Sequence, residues 1–530
     1  MAEDKKNVPY DLSRRSERST EEIVPLFCFS CGRTGHNHEG CSKGRPGSGS
    51  SLDVTQSYAG GTPASVDPPS QPSGGTSCPS PSSVGIKPPR RKPSKKATKS
   101  TTHEELEKLY RTGEESRNPV GESVKLYNEQ ISISDPNFRD IKAESFEECG
   151  LHPDILKVLK SMQYEKPFPV QKYAMSIIQS GRNLRASACT GTGKTAAFLL
   201  PIINNILKRD IRSSKELPQR PKALIISPTR ELAQQLFNDA TKFTAFTDVK
   251  AKLCHGKTSV DQETQRIKSG VNILIGTLGR TVDHLRRETV ALDELGYLVF
   301  DEADRIMEED FAEEFEDFKR FLEKSGCRPQ TLMFSATFAD SVMSKIKSLL
   351  ADHVVLRVGV QGTVNEDIDQ NVVAVPEDEK REKLLEMIIA GPTDKTLVFV
   401  RSRERADMLI DYLFRNEIRA NVLHGERDQY ERTKALREFS DGSVSILVAT
   451  WLANRGLDIS LVNHVINYDL PNTMEQYINC LGRTGRVGNR GRATSFFDPR
   501  FSEDIAMAPA LCRKLLEGGA PAIPEFLRVE

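Results

Sequence analysis

From about Phe146 onward the chain alternates two textures. Short runs of β-branched and aliphatic residues, Ala223–Ser227, Ile273–Ile275, Tyr297–Phe300 and Thr331–Phe334, are separated by stretches with helical periodicity. A second series, Thr396–Val400, Ile446–Ala449 and Val465–Asn467, repeats the arrangement. Unbroken apolar runs suit strands covered on both faces, and regular strand-helix alternation predicts parallel sheets flanked by helices. The charged stretch Pro376–Lys383 falls between the two series, so the pattern predicts two α/β domains joined near residues 356 to 370.

Upstream the pattern is lost. Between Ser42 and Thr102 the chain is Ser, Gly, Pro and Thr with few apolar residues, which cannot bury enough surface to offset chain entropy. A disordered linker is expected over 44–140, and a disordered start over 1–25. The linker carries a basic run, Lys87, Arg90, Arg91, Lys92, Lys95, Lys96 and Lys99, readable as a solvated face, a nuclear-import signal or an arm along a phosphate backbone. Over all 530 residues, 74 basic side chains balance 74 acidic ones. That excludes a bulk-basic nucleic-acid binder but not local patches. No apolar run reaches the ~18 residues of a spanning helix, and the start lacks a signal peptide's apolar core, so a non-membrane, intracellular protein is expected.

Two segments carry phosphate chemistry. Ala188, Cys189, Thr190, Gly191, Thr192, Gly193, Lys194 and Thr195 follow a predicted strand and open a helix, as a Walker A loop does. Its glycines let backbone N–H groups close on phosphates, Lys194 neutralises oxygens, and the Thr195 hydroxyl suits Mg2+. The run Tyr297–Phe300 leads straight into Asp301-Glu302-Ala303-Asp304. An acidic cluster is usually a solvated face; directly after a buried strand it is a Walker B arrangement, with Asp301 for Mg2+ and its waters and Glu302 for the attacking water.

Near the amino terminus, Cys28, Cys31, His36 and Cys41 have the spacing C-x2-C-x4-H-x4-C. Three thiolates and an imidazole make a closed tetrahedral Zn2+ site, predicted over 26–43, and the spacing selects His36 over His38. The remaining cysteines are scattered, which in a chain without a secretion signal argues against a disulfide framework.

With these residues in hand, the stretch from Phe146 to Arg500 resembles a DEAD-box RNA helicase. The further motifs recur in the family's order: Pro228-Thr-Arg-Glu-Leu-Ala233, Thr277-Leu-Gly-Arg280, Ser335-Ala-Thr337, Leu397–Val400, His424-Gly-Glu-Arg427 with Gln429 and Arg432, Ala449-Thr450 through Arg455-Gly-Leu-Asp458, and Gly482-Arg483-Thr-Gly-Arg486. The resemblance implies two tandem RecA-like domains, 141–358 and 366–500, with an extension over 501–530. It implies ATP between them, the adenine read by Tyr164 and Pro167 through Gln171 and capped by Phe146, with Gly456 and Asp458 near the nucleotide. Arg483 and Arg486 would act as arginine fingers. RNA, single-stranded or in short duplexes, would be met along its backbone by Thr229, Arg230, Gly256, Thr277, Arg280, Gln429, Arg432 and Thr450, with little sequence readout. The knuckle resembles retroviral-type zinc knuckles that bind single-stranded nucleic acid, and its place before the core resembles the Vasa branch. By that resemblance a monomer in cytoplasmic ribonucleoprotein or germ granules is expected, with nuclear entry left open.

Several positions depart from the family. Gln163 and Phe168 stand in the Q motif, Cys189 in the phosphate loop, His255 before Gly256, Leu278 after Thr277, Trp451 and Asn454 in motif V, and Asn479-Cys480 where motif VI usually opens with His-Arg. Losing that cation removes a charge-assisted hydrogen bond of ~1.5–3 kcal/mol from the domain interface. Trp451 is read as packing in preference to base stacking. The leading expectation is an ATP-dependent RNA helicase; the rival is an ATP-gated RNA-binding scaffold with weakened turnover. A DNA motor shares the plan but fits the acidic tetrad and Q motif less well.

Overall fold

The computed structural model describes residues 27–28, 33–34 and 130–528, except 140, 142, 190, 210–215, 351, 360–361, 363, 366, 392–394, 452–461, 486–489 and 519–521. It divides into two compact units, Met1–Lys95 and Lys96–Glu530. In the first, Phe27–Cys28 (β1) pairs antiparallel with Arg33–Thr34 (β2), Phe27 opposite Thr34. The expected zinc knuckle otherwise lies outside the described residues.

The second unit holds two sheets. The first contains Ile131–Ile133 (β3), Asn183–Ala188 (β4), Ala223–Ser227 (β5), Ala251–Cys254 (β6), Ile273–Thr277 (β7), Tyr297–Asp301 (β8), Gln330–Ser335 (β9) and His353–Val358 (β10). Its order is β3-β10-β4-β9-β8-β5-β7-β6, parallel except for β3 against β10. The second contains Ile368–Ala374 (β11), Thr396–Val400 (β12), Asn421–Leu423 (β13), Ile446–Thr450 (β14), His464–Asn467 (β15) and Gly491–Phe497 (β16). Its order is β11-β16-β15-β12-β14-β13, with parallel pairing throughout. The predicted parallel α/β architecture is therefore present in both halves, joined at residues 359–367.

Strands β5, β8, β12 and β14 are buried along their whole length, which is why their sequences read as unbroken apolar runs. The first core packs Leu184 and Ala186 of β4 against Phe198, Leu199 and Ile202 of the helix Lys194–Arg209, all fully buried. Each such aliphatic or aromatic side chain contributes about 1.5–3 kcal/mol of burial.

Two expected boundaries move. The linker ends earlier than 140, because β3 already pairs with β10 (Ile133 opposite Leu356) and buries Ile133. A three-residue strand is too short to show a period. The extension after Arg500 is part of the second domain: the helix Ser502–Glu517 places Leu511 and Leu515 in one core with Ile368, Tyr477 and Phe497. Asp504 also accepts the backbone N–H of Asp498 at 2.8 Å. Trp451 is buried among Leu397, Phe399 and Leu447, in keeping with the packing reading. Among the described residues no helix is long and apolar enough to cross a membrane.

Candidate active site

Strands β4, β9 and β8 are adjacent in the first sheet, so their carboxyl ends bring three motifs side by side. The phosphate loop leaves β4 at Ala188, the Ser-Ala-Thr segment leaves β9 at Ser335, and β8 ends at Asp301. Such an edge is where open α/β sheets bind ligands.

The loop is closed on itself. Lys194 donates its ammonium to the carbonyls of Ala188 (2.7 Å) and Cys189 (3.3 Å), and the Thr192 hydroxyl donates to Cys189 O at 2.8 Å. Gly191 and Gly193 take positive φ of 86° and 84°, conformations that other residues rarely hold. Gln171 pins the loop from behind: its side-chain amide donates to Gly193 O (3.2 Å) while its oxygen accepts the Phe168 N–H (2.9 Å). A Cβ at Gly193 would lie 2.3 Å from Gln171 Nε2, so any other residue there would be strained by its φ of 84° and would also push the Gln171 amide off the loop. The structure buries Phe146 in the core, its ring centroid 6.2 Å from that of the half-exposed Tyr164.

Facing the loop are the acids. Asp301 is 5% exposed, and burial pushes its carboxyl up to about 6 against the pull of Lys194. Burial likewise raises Glu302 to about 7, opposed first by Arg483. Asp304 is raised by burial despite a hydrogen bond from Ser335. Burial also lowers the Lys194 ammonium, with Asp301 and Glu302 opposing. Glu302 holds a left-handed backbone (φ 51°, ψ 53°), a strained conformation for a non-glycine residue at a turn where a strand passes directly into a helix. Three desolvated acids beside one lysine give this cleft a negative lining. Among the described residues no three acids, histidines or cysteines converge as a metal cage, and the oxygen donors suit an Mg2+ that keeps most of its waters.

The second domain closes this cleft. Arg483 is 4% exposed, just past the helix Met474–Leu481, and lines the same cavity as Lys194, Glu302 and Asp304. Thr337 donates its hydroxyl to Glu475 of that helix at 2.9 Å. A neighbouring cavity of about 400 Å3 is walled by Cys189, Phe338, Val358, Ile368 and Ile478. Thr190, Gly456, Asp458 and Arg486 lie outside the described residues.

The expected RNA residues form two groups. Thr229 caps the helix Arg230–Phe243, its Oγ accepting the Leu232 N–H, and Thr277 precedes the helix Leu278–Arg286. Gly256 sits under Arg230, where a Cβ would be 3.2 Å from the guanidinium. Arg280 is held by Glu263 (2.8 Å) and by Thr258 O (3.2 Å). Across the cleft, Arg432 pairs with Glu231 at 2.8 Å, Gln429 donates to Glu231 at 3.1 Å, and Arg230 reaches Gln429 at 3.5 Å. Thr450 is buried at the end of β14. Glu231 and Glu263, which hold these groups in place, and Glu475, which meets Thr337, were not named as site residues from sequence, although Glu231 lies within the Pro228–Ala233 motif.

A family model described as DEAD/DEAH box helicase matches residues 168–346, and one described as helicase conserved C-terminal domain matches 379–488. The chain is 41% identical over 388 residues to the ATP-dependent RNA helicase vasa of Drosophila melanogaster, covering 73% of this chain and 57% of that protein. The chain belongs to the DEAD-box family. It is 40% identical over 390 residues to human probable ATP-dependent RNA helicase DDX4, covering 72% of this chain and 53% of that protein. The chain thus spans little more than half the length of these curated relatives. Among solved DEAD-box structures, S. cerevisiae Dbp5 bound to RNA and ADP BeF3 has a TM-score of 0.61 at 28% identity, covering 70% of this chain and 93% of that one. Mss116p bound to ssRNA and AMP-PNP gives 0.61 at 27% identity, covering 72% and 78%.

Proposed function

We propose that this chain is an ATP-dependent RNA helicase, hydrolysing ATP to separate short duplexes or remodel ribonucleoproteins. The observation that carries the reading is the convergence of Lys194, Asp301, Glu302 and Arg483 on one cleft between two domains. Lys194 and the loop N–H groups would bind the phosphates, once Lys194 gives up its bonds to Ala188 and Cys189. Asp301 and Thr195 would hold Mg2+, which supplies charge neutralisation on the phosphate oxygens. Glu302, with its carboxyl raised, is suited to orient water and accept its proton, and Arg483 brings positive charge to the opposite side. Arg486, Gly456 and Asp458 complete the proposed set.

The RNA backbone would lie over Thr229, Arg230, Gly256, Thr277 and Arg280 in one domain and Gln429, Arg432 and Thr450 in the other. Because several of these also bond across the cleft, strand binding and domain closure would favour each other as one population shift. The amino-terminal cysteines and His36 would fold around Zn2+ and add affinity for single strands; Cys31→Ser should then weaken RNA binding and release one zinc per chain. The Vasa resemblance supports cytoplasmic granules as the setting and a monomer as the working form.

The deciding experiment is steady-state ATP hydrolysis with and without single-stranded RNA, beside Glu302→Gln. RNA-stimulated turnover that vanishes in the variant supports the helicase. Nucleotide and RNA binding without turnover would transfer the assignment to an ATP-gated scaffold, a reading favoured by the uncharged Asn479 at the cleft.

A further inference from the structure

We infer that Glu475 is a positioning residue for ATP turnover: by accepting the Thr337 hydroxyl across the cleft, it seats the helix Met474–Leu481 and so places Arg483 opposite Glu302. The inference rests on the proposed hydrolytic role of this cleft.

The argument begins with proton counting. Thr337 has one hydroxyl proton and two carboxylates in reach, Glu475 at 2.9 Å and Asp304 at 3.4 Å. One proton makes one good hydrogen bond, and the shorter distance assigns it to Glu475. Asp304 has other donors, the Ser335 side chain and the Arg305 backbone N–H, so it can release Thr337. Thr337 itself is fixed in the first domain, its N–H donating to Ser335 Oγ at 3.3 Å. Its side chain is therefore a fixed donor presented to the second domain.

Glu475 lies in the first turn of its helix, which Thr473 caps by accepting the Gln476 N–H at 3.2 Å. Arg483 follows the other end of the same helix, and its Nε donates to Asn479 O at 3.3 Å. A two-turn helix is a rigid strut at this length, so anchoring its first turn fixes the direction in which Arg483 leaves it. Asn479, one turn after Glu475, shares that helix face and the same cavity but carries no charge. Glu475 therefore carries a charge-assisted contact between this helix and the Ser-Ala-Thr segment. Placing a carboxylate beside Asp304 and Glu302 is electrostatically unfavourable unless a donor stands between, and the Thr337 hydroxyl fills that place.

The test is RNA-stimulated ATP hydrolysis by the full chain carrying Glu475→Ala, Thr337→Val, both together, or Glu475→Gln. Each of the first two should lower the RNA-stimulated kcat by about tenfold or more, with KM for ATP changed less than kcat. The double variant should lose no more than the worse single one, because both remove the same bond. Glu475→Gln keeps an acceptor oxygen at the same reach and should recover most of the loss, which a general packing role would not reproduce. Additive losses, or an Ala variant equal to the wild type, would overturn the inference; a wild-type chain without ATP turnover would instead overturn the functional assignment beneath it. Thr337→Ser retains the hydroxyl, and its activity separates loss of the bond from failure to fold.

Discussion

Arg432 places a guanidinium nitrogen 2.8 Å from a carboxylate oxygen of Glu231, joining the helix Gln429–Ser440 of the second domain to Arg230–Phe243 of the first. Both side chains are at least nine-tenths buried in this closed arrangement, and both become solvated when the domains part. Their pairing therefore bears on closure more than on the stability of either domain.

Glu231→Ala should leave Arg432 without its carboxylate only in the closed state, a loss of roughly 2–5 kcal/mol from closing. RNA retention in the presence of a non-hydrolysable ATP analogue should fall by at least tenfold, with little change in thermal unfolding. Undiminished retention, measured by fluorescence anisotropy of a labelled strand, would remove this pair from the closing mechanism.

Glu263 ties together the edge of the first domain that is proposed to meet RNA. It accepts from His284 (3.0 Å), Arg280 (2.8 Å), the Thr258 hydroxyl and the His255 N–H (3.1 Å). Burial works to raise its carboxyl, but these donors outweigh burial and bring it down from 4.5 to about 2. A depressed folded value stabilises the fold fully above 4.5 and loses that stabilisation as pH falls through about 2. Glu263→Gln should cost roughly 3 kcal/mol at neutral pH. The gap in unfolding temperature between wild type and variant should narrow steadily between those two pH values; a gap independent of pH would rule the linkage out.

In the second domain, Asp469 is fully buried and accepts from Arg405 (2.8 Å), the Arg401 N–H (2.9 Å) and Lys380 (3.4 Å), itself fully buried. Asp469→Asn would leave Lys380 and Arg405 with only the half-exposed Glu377 as counter-charge, 3.1 Å from Lys380, a loss of about 3 kcal/mol. Calorimetry should show the second-domain transition moving down while the first-domain transition stays in place. A single undisturbed transition would count against the network.

Gln171 touches both Phe168 and Gly193, so removing it frees the phosphate loop as well as the turn before its own helix. Gln171→Ala should weaken ATP binding by about tenfold, corresponding to one or two lost hydrogen bonds. Titration with a fluorescent nucleotide checks this, and unaltered affinity would assign Gln171 to packing alone.

How much of this was legible follows from where each signal is stored. Central strands such as β5, β8 and β12 announce themselves, because burial on both faces requires an unbroken apolar run. Edge and alternating strands do not: Ala251–Cys254 is only partly buried over its first three residues, and Ile368–Ala374 mixes exposed Asp369 and buried Ile368. The nucleotide residues are local in sequence and were recognisable as motifs. Glu475 was not, and Glu231 stood inside the Pro228–Ala233 motif without a role, since their meaning lies in partners 138 and 198 residues away. A carboxylate in a helix's first turn reads as favourable helix electrostatics whether or not it also fastens two domains.

The self-bonded Lys194 has a corollary for selectivity. The Lys194 ammonium rests on two carbonyls of its own loop, so any anion that takes it must replace both bonds. Small free anions, offering few contacts, gain too little to do so. A triphosphate offers enough oxygens to replace every bond Lys194 surrenders, so the proposed phosphate role should carry a preference for polyphosphates over single anions.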